Sequence, residues 1–216
     1  MDKYRIAMSV TLSTAGVFCD HTAGNQATEE AAKSNKRLIP AATVNPQVYF
    51  GSGDDLRAIT SRGFHMFRFF PDEQGWPIYS TAFESILKHL RPVGVAVMVD
   101  AGGAGEPTQV ARLAADYSGS VILSSVSGES LAEAVAVMLG HPNVMLETHE
   151  LHAPGALRVL ADRFGAERII FGSGAPRRSA ASSLSYVLSS ELSDAEKQLV
   201  LGGNIKRILE AVHSGG

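Results

Sequence analysis

Glu147, His149 and His152 form the only carboxylate–imidazole cluster in this 216-residue sequence. Glu147 and His149 alternate along an apolar run that reads as a strand, so both side chains point to one side. A pair of this kind suits acid–base chemistry, with a carboxylate orienting and tuning the imidazole. The same side chains suit a replacement metal site, or simply a polar strand end packed in the interior or at a subunit contact. Asp100 ends a second apolar run and reads either as a general base or substrate-binding group, or as an acceptor for the Ala101–Gly105 turn. Arg68 lies within a third run, Phe67 to Phe70. A guanidinium in apolar surroundings needs a partner. That partner is either a substrate carboxylate held in bidentate fashion or one of Asp100 and Glu147. Trp76, in Gln74-Gly75-Trp76-Pro77, reads as a pocket wall or as a loop hydrophobe packed on a helix. The catalytic candidates are thus Asp100, Glu147 and His149, and the substrate-binding candidates include Arg68, His152 and Trp76. Arg177-Arg178 reads as an anion-attracting pair or a solvated one. His65, His89, His141 and His213 read as structural or exposed, and Ser173 lacks a nucleophile elbow.

The elements that must carry these residues alternate between strand and helix. Apolar, β-branched runs of strand length occur at 6–13, 38–44, 65–70, 95–100, 121–126, 144–149 and 169–173. They are apolar throughout, as expected for a parallel sheet covered on both faces. Between them lie helical patterns at 28–33, 54–61, 79–90, 107–117, 130–139 and 154–164, with two more at 180–189 and 193–212. Thr28 is placed to cap the first, Pro107 and Pro154 suit first helical turns, and Ser193 with Glu196 has capping-box spacing. No Gly-x-Gly-x-x-Gly follows the first strand and no Walker loop is present, which argues against a nucleotide-binding sheet. The pattern predicts a single domain over 1–216, a TIM-like (β/α) barrel with seven strands where a closed barrel has eight. Polar residues and glycines gather at the strands' C-terminal ends, the face where such barrels place their chemistry.

Composition narrows the partners. A formal charge of −3 gives no electrostatic ground for nucleic acid or an anionic membrane. The apolar runs are too short to span a bilayer, and the N-terminus lacks a signal-peptide core. Cys19 is the single cysteine, so no intrachain disulfide forms and a reducing cytoplasm is the expected location.

Several motifs, in order, resemble the amidohydrolase-2 family of metal-dependent hydrolases: Ala41-Ala42-Thr43-Val44-Asn45-Pro46, Gly63–Pro71, Pro142-Asn143-Val144-Met145-Leu146-Glu147-Thr148, Phe171-Gly172-Ser173-Gly174, and Leu201–Leu209 with its Gly-Gly-Asn. The resemblance covers nearly the whole chain and implies a TIM barrel with a zinc or other divalent metal at its mouth. The ligands that it implies are missing. No His-x-His strand precedes Ile6, which accounts for seven strands rather than eight. Asp100 and Ser125 stand where the family has histidines, and Gly174 stands where it has the metal-binding aspartate. Ser125 therefore joins the substrate-binding candidates. A divalent metal needs three or four such donors, so no metal and no cofactor is expected.

Two functions follow. One is a degenerate barrel without a metal centre, a pseudoenzyme serving as a binding or partner subunit. The other is a metal-independent hydrolase, lactonase or decarboxylase acting on a small carboxylate or lactone by acid–base chemistry. The absent strand leaves two neighbours with unpaired edges. Covering by the N-terminal segment, by a homodimer or by a partner subunit is expected. A family-like first strand upstream of Met1 would not restore the other ligands.

Overall fold

Seven short strands alternate with helices in a computed structural model that describes residues 1–113 and 115–213, without the side chains of 212 and 213. The strands are β1 (Ser9–Thr11), β2 (Leu38–Pro40), β3 (Met66–Phe69), β4 (Ala96–Asp100), β5 (Val121–Ser124), β6 (Val144–Glu147) and β7 (Ile169–Ile170). The helices are α1 (Thr14–Phe18), α2 (His21–Ser34), α3 (Gly53–Ser61), α4 (Pro71–Gln74), α5 (Thr81–Leu90), α6 (Glu106–Leu113), α7 (Leu131–Gly140), α8 (Ala156–Phe164), α9 (Ala180–Leu188), α10 (Asp194–Gln198) and α11 (Asn204–His213). Every strand pairing is parallel, β1 with β2 and β3 through β7 in chain order. Ala42 joins the two sheets: its N–H donates to Met66 O at 2.9 Å and its carbonyl accepts from Arg68 N–H at 2.8 Å. All seven strands lie where the sequence places them, each with shorter ends.

Side-chain alternation sorts these strands into two cores. Outward residues such as Phe67, Phe69, Val97, Val99, Leu123 and Leu146 pack against helix residues including Phe83, Ile86, Met138 and Leu160. Inward residues Met66, Ala96, Met98, Ile122, Met145 and Ile170 form the barrel interior with Ala41. Ile208 and Leu209 of α11 complete this inner core, and α11 touches β4 and β7. One step further along the inward face the residues turn polar: Arg68, Asp100, Ser124 and Glu147. The register aligns them, with Asp100 opposite Ser124.

The edge of β7 is sealed by the chain itself. Thr148 N–H donates to Ile170 O on the β6 side. Alternate residues of a strand direct their backbone groups to opposite sides, so Ile169 O and Phe171 N–H point away from β6. Phe171 N–H donates to Val200 O at 2.9 Å, and Asn204 Nδ2 donates to both Ile169 O and Ala166 O at 2.8 Å. For β7 the covering groups come from the C-terminal segment, where the N-terminal segment is one of those expected.

Local geometry corrects two helix readings. Helix α2 begins at His21, with Asp20 Oδ1 accepting the Ala23 N–H at 2.7 Å. Thr28 is no cap; from the helix interior its hydroxyl donates to Gly24 O and accepts from Ser13 N–H, both at 2.8 Å. A Cβ at Gly24 would lie 2.2 Å from Gly16 Cα, so this glycine lets α1 and α2 cross closely. The last expected helix is two helices, α10 and α11, joined by a π-helical turn at Leu199–Gly203. That turn frees the Val200 carbonyl for β7. The Ser193–Glu196 capping box forms as expected. Among the described residues, no helix is long and apolar enough to cross a membrane.

Asn204→Ala removes both side-chain donors and leaves the carbonyls of Ala166 and Ile169 without them. The Ala166 carbonyl keeps the Ile169 N–H and only the Ile169 carbonyl is left unpaired. Unfolding free energy should therefore fall by about 1–3 kcal/mol, the cost of one buried acceptor without a partner. Urea unfolding monitored by circular dichroism measures it.

Candidate functional site

Five inward or rim side chains at the strands' C-terminal ends form one polar chain. Arg68 Nη2 donates to Asp100 Oδ1 at 3.1 Å and approaches Ser124 Oγ at 3.4 Å. Ser124 Oγ donates to Glu147 Oε2 at 2.8 Å. The same carboxylate is paired with His149 Nδ1, while Glu147 Oε1 accepts the His149 backbone N–H at 2.8 Å. Asp100, Ser124, Glu147 and His149 are buried, and Arg68 lies half-buried with its guanidinium 4.8 Å from the centre of the Phe70 ring. Strand β6 ends at Glu147, so His149 reaches the site from the following turn; the two side chains meet as their spacing predicts.

Close backbone approach makes room for this chain. A Cβ at Gly172 would fall 1.3 Å from Glu147 Oε1, so only glycine admits the carboxylate there. At Gly174 φ is +63°, and a Cβ would lie 2.9 Å from the Arg178 side chain and 3.1 Å from His149 Cδ2. The place of an aspartate at 174 is taken by the imidazole and by Arg178.

The other expected site residues lie elsewhere. Ser124, one residue before Ser125, enters the network, because the inward alternation runs through Ile122 and Ser124. Ser125 follows in a left-handed conformation, with φ +61°. Trp76 is a core residue: its ring packs 4.9 Å from Phe83 and its indole N–H donates to Gln74 Oε1 at 2.9 Å. His152 is exposed, its ring edge-on to Tyr186, and lines a separate pocket with Arg177 and Arg178. Glu106 was not singled out by the sequence. Its carboxylate accepts the Gly103 N–H at 2.6 Å, and burial together with Asp72 and Asp100 raises its pKa despite that bond. The only signal for it is its place in the first turn after the Gly-rich rim.

Electrostatics favour an ionised pair. Burial pushes the Glu147 carboxyl up, but the hydrogen bond and charge of His149, the charge of Arg68 and the Ser124 hydroxyl outweigh it and hold it below the usual range. Burial likewise opposes a charged His149, yet Glu147 outweighs it and raises the imidazole above its ordinary value. Around them Glu150 pairs with Arg178 and stands 3.6 Å from His149 Nε2.

A divalent metal does not fit this donor set. Each carboxylate is committed, Asp100 to Arg68 and Glu147 to Ser124 and His149, and the guanidinium beside them already supplies positive charge. Among the described residues, no three His, Cys, Asp or Glu side chains are grouped to hold a metal ion.

Fold and site together define a TIM-type (β/α) barrel with an ion-paired mouth. The chain belongs to the amidohydrolase family (amidohydrolase-2), whose model matches residues 1–210. Among solved structures it resembles an uncharacterized TIM-barrel protein from Bordetella bronchiseptica, at 17% identity and a TM-score of 0.72 over 88% of this chain and 73% of that one. It also resembles 5-carboxyvanillate decarboxylase from Novosphingobium aromaticivorans with bound manganese (15% identity, TM-score 0.75, 97% and 79% covered). A third is a probable 2-pyrone-4,6-dicarboxylic acid hydrolase from Acinetobacter baumannii with citric acid bound (15%, 0.65, 86% and 78%). No curated protein sequence matches significantly.

Gly172→Ala should expel Glu147 from the network and destabilise the protein by about 3 kcal/mol or more, the range for breaking a buried ion pair; chemical denaturation checks this. A second outcome concerns pH. Stability from Glu147, whose pKa is lowered, is complete above the ordinary value of 4.5 and is lost as pH falls through the folded value. Stability from His149, whose pKa is raised, is complete below the ordinary 6.5 and is lost as pH rises through the folded value. The difference in urea midpoint between wild type and His149→Gln should therefore peak between pH 4.5 and 6.5 and shrink on either side.

Proposed function

We propose that this chain is a degenerate amidohydrolase barrel in which a fixed ion-pair chain stands in place of the metal centre, and that it acts as a binding or partner subunit. One observation carries this reading: Arg68 pairs with Asp100 at the mouth, while His149 and Arg178 fill the space beside Gly174. A bound water beside these residues meets no Lewis acid of the protein's own to lower its pKa. A second copy or a partner subunit fits through the outer edge of β1, which no strand covers among the described residues. A reducing cytoplasm suits the exposed, free Cys19.

The buried Glu147–His149 pair favours a second reading, a metal-independent hydrolase, lactonase or decarboxylase for a small carboxylate or lactone. There Glu147 would hold His149 Nδ1, leaving Nε2 to take up or deliver a proton.

The test measures the full chain after expression with added zinc and manganese. Metal should stay well below one equivalent by mass spectrometry, and turnover of 5-carboxyvanillate and 2-pyrone-4,6-dicarboxylate should not exceed background. Turnover that survives chelation and is abolished in His149→Gln would favour the second reading. A stoichiometric metal required for turnover would sink both.

A further inference from the structure

We infer that the opening between the loops after β6 and β7 is a binding site for a small oxyanion, a carboxylate or a phosphate. The inference deepens the binding reading above by naming the ligand class, and it places the anion away from Arg68. Arg68 is not part of the opening's lining and pairs with Asp100 inside the barrel mouth.

The opening is a pocket of about 400 Å³ lined by His152, Arg177, Arg178, Ser179, Ser182 and Ser183. This volume lies within the usual range of small-molecule sites. The lining holds two guanidinium groups, an imidazole and three hydroxyls, with no carboxylate and no apolar side chain. Both arginines are anchored from outside the lining, Arg177 Nη1 by Glu73 and Arg178 Nη2 by Glu150. A guanidinium carries five N–H donors, so each anchor leaves several to face the pocket. The anchors also restrict the two side chains beforehand, which lowers the ordering cost of binding.

The remaining groups are positioned with similar economy. Tyr186, whose hydroxyl donates to Ala153 O at 2.8 Å, stands edge-on to the His152 ring. Ser183 donates to Ser173 O at 3.3 Å and so serves as wall. Ser179 precedes α9 without a side-chain capping bond, and Ser182 is exposed on the first turn. Glu150 links the pocket to the buried chain, since it contacts both Arg178 and His149 Nε2. An oxyanion taking Arg178 would compete with Glu150 for it.

Isothermal titration of the full chain at low ionic strength, with inorganic phosphate in one arm and malonate in the other, tests the site. Saturable one-to-one binding of at least one anion is expected. If both bind they should compete, and binding of one alone assigns the source. Arg178→Gln should weaken binding about tenfold, as loss of a charge-assisted pair does. Arg177→Gln and Ser182→Ala should weaken it severalfold, and Arg112→Gln, on exposed surface elsewhere, should leave it within twofold. Ser182→Ala removes one exposed hydroxyl and so keeps the test independent of folding. No saturable binding of either anion, or binding that Arg177→Gln, Arg178→Gln and Ser182→Ala leave within twofold, would overturn the site. So would an equal loss in Arg112→Gln. Metal content and turnover are measured on the same preparation, so failure of the metal-free reading is seen separately.

Discussion

Two carboxylates, Asp100 and Glu147, point into the barrel from β4 and β6 and are buried there. Burying such charges without partners costs several kcal/mol each. The rest of the mouth is arranged around that constraint. Arg68, from β3, meets Asp100; Ser124, from β5, meets Glu147; His149 folds back from the turn to pair with the same carboxylate. Gly172 lacks a side chain because the carboxylate lies over its backbone. The interaction reaches outward through Glu150 and Arg178, so the mouth is one chain of polar contacts from the inner strands to the surface loop. In the buried part each member is the counter-charge or donor of the next, so removing Arg68, Ser124 or His149 leaves a buried carboxylate short of a partner.

Below the polar layer the constraint is different in kind. The barrel interior is lined by methionines, alanines and isoleucines, and the series of strands stops at β7. An interior of this sort needs a lid on its apolar side and partners for the last strand's backbone. The C-terminal segment supplies both: Ile208 and Leu209 complete the inner core, and Val200 with Asn204 meets the outward groups of β7. The Gly-Gly-Asn stretch thus reads as the joint that turns one helix into two and presents an amide to a strand edge.

Much of this was legible in the sequence. The seven strands, the burial of both sheet faces and the placing of Glu147 and His149 on one side follow from apolar runs and period-2 alternation. The rule that interior charge is paired leaves Asp100, Glu147 and a substrate carboxylate all open as the partner of Arg68. What escaped depended on contacts between distant segments. Thr28 reads as a cap because it precedes the helical pattern 28–33, yet the helix begins at His21 and Gly24 crosses Gly16 within it. Motif position points to Ser125, whereas inward alternation through Ile122 brings Ser124 to the network. Trp76 carries two readings in the sequence, and its packing against Phe83 of α5 fits the loop hydrophobe rather than the pocket wall. Sealing of the β7 edge by Val200 and Asn204 has no local signature, since both partners lie some thirty residues away and one acts only because a π-turn redirects its carbonyl.

The joint at Leu199–Gly203 also bears on synthesis. A ribosome releases β7 well before α11, so during translation the last strand emerges with its outward N–H and C=O groups bare and the methionine-lined interior uncovered. Bare strand edges are templates for pairing with other chains. Until Val200 and Asn204 have been added, the outward groups of β7 lack the partners they have in the finished fold.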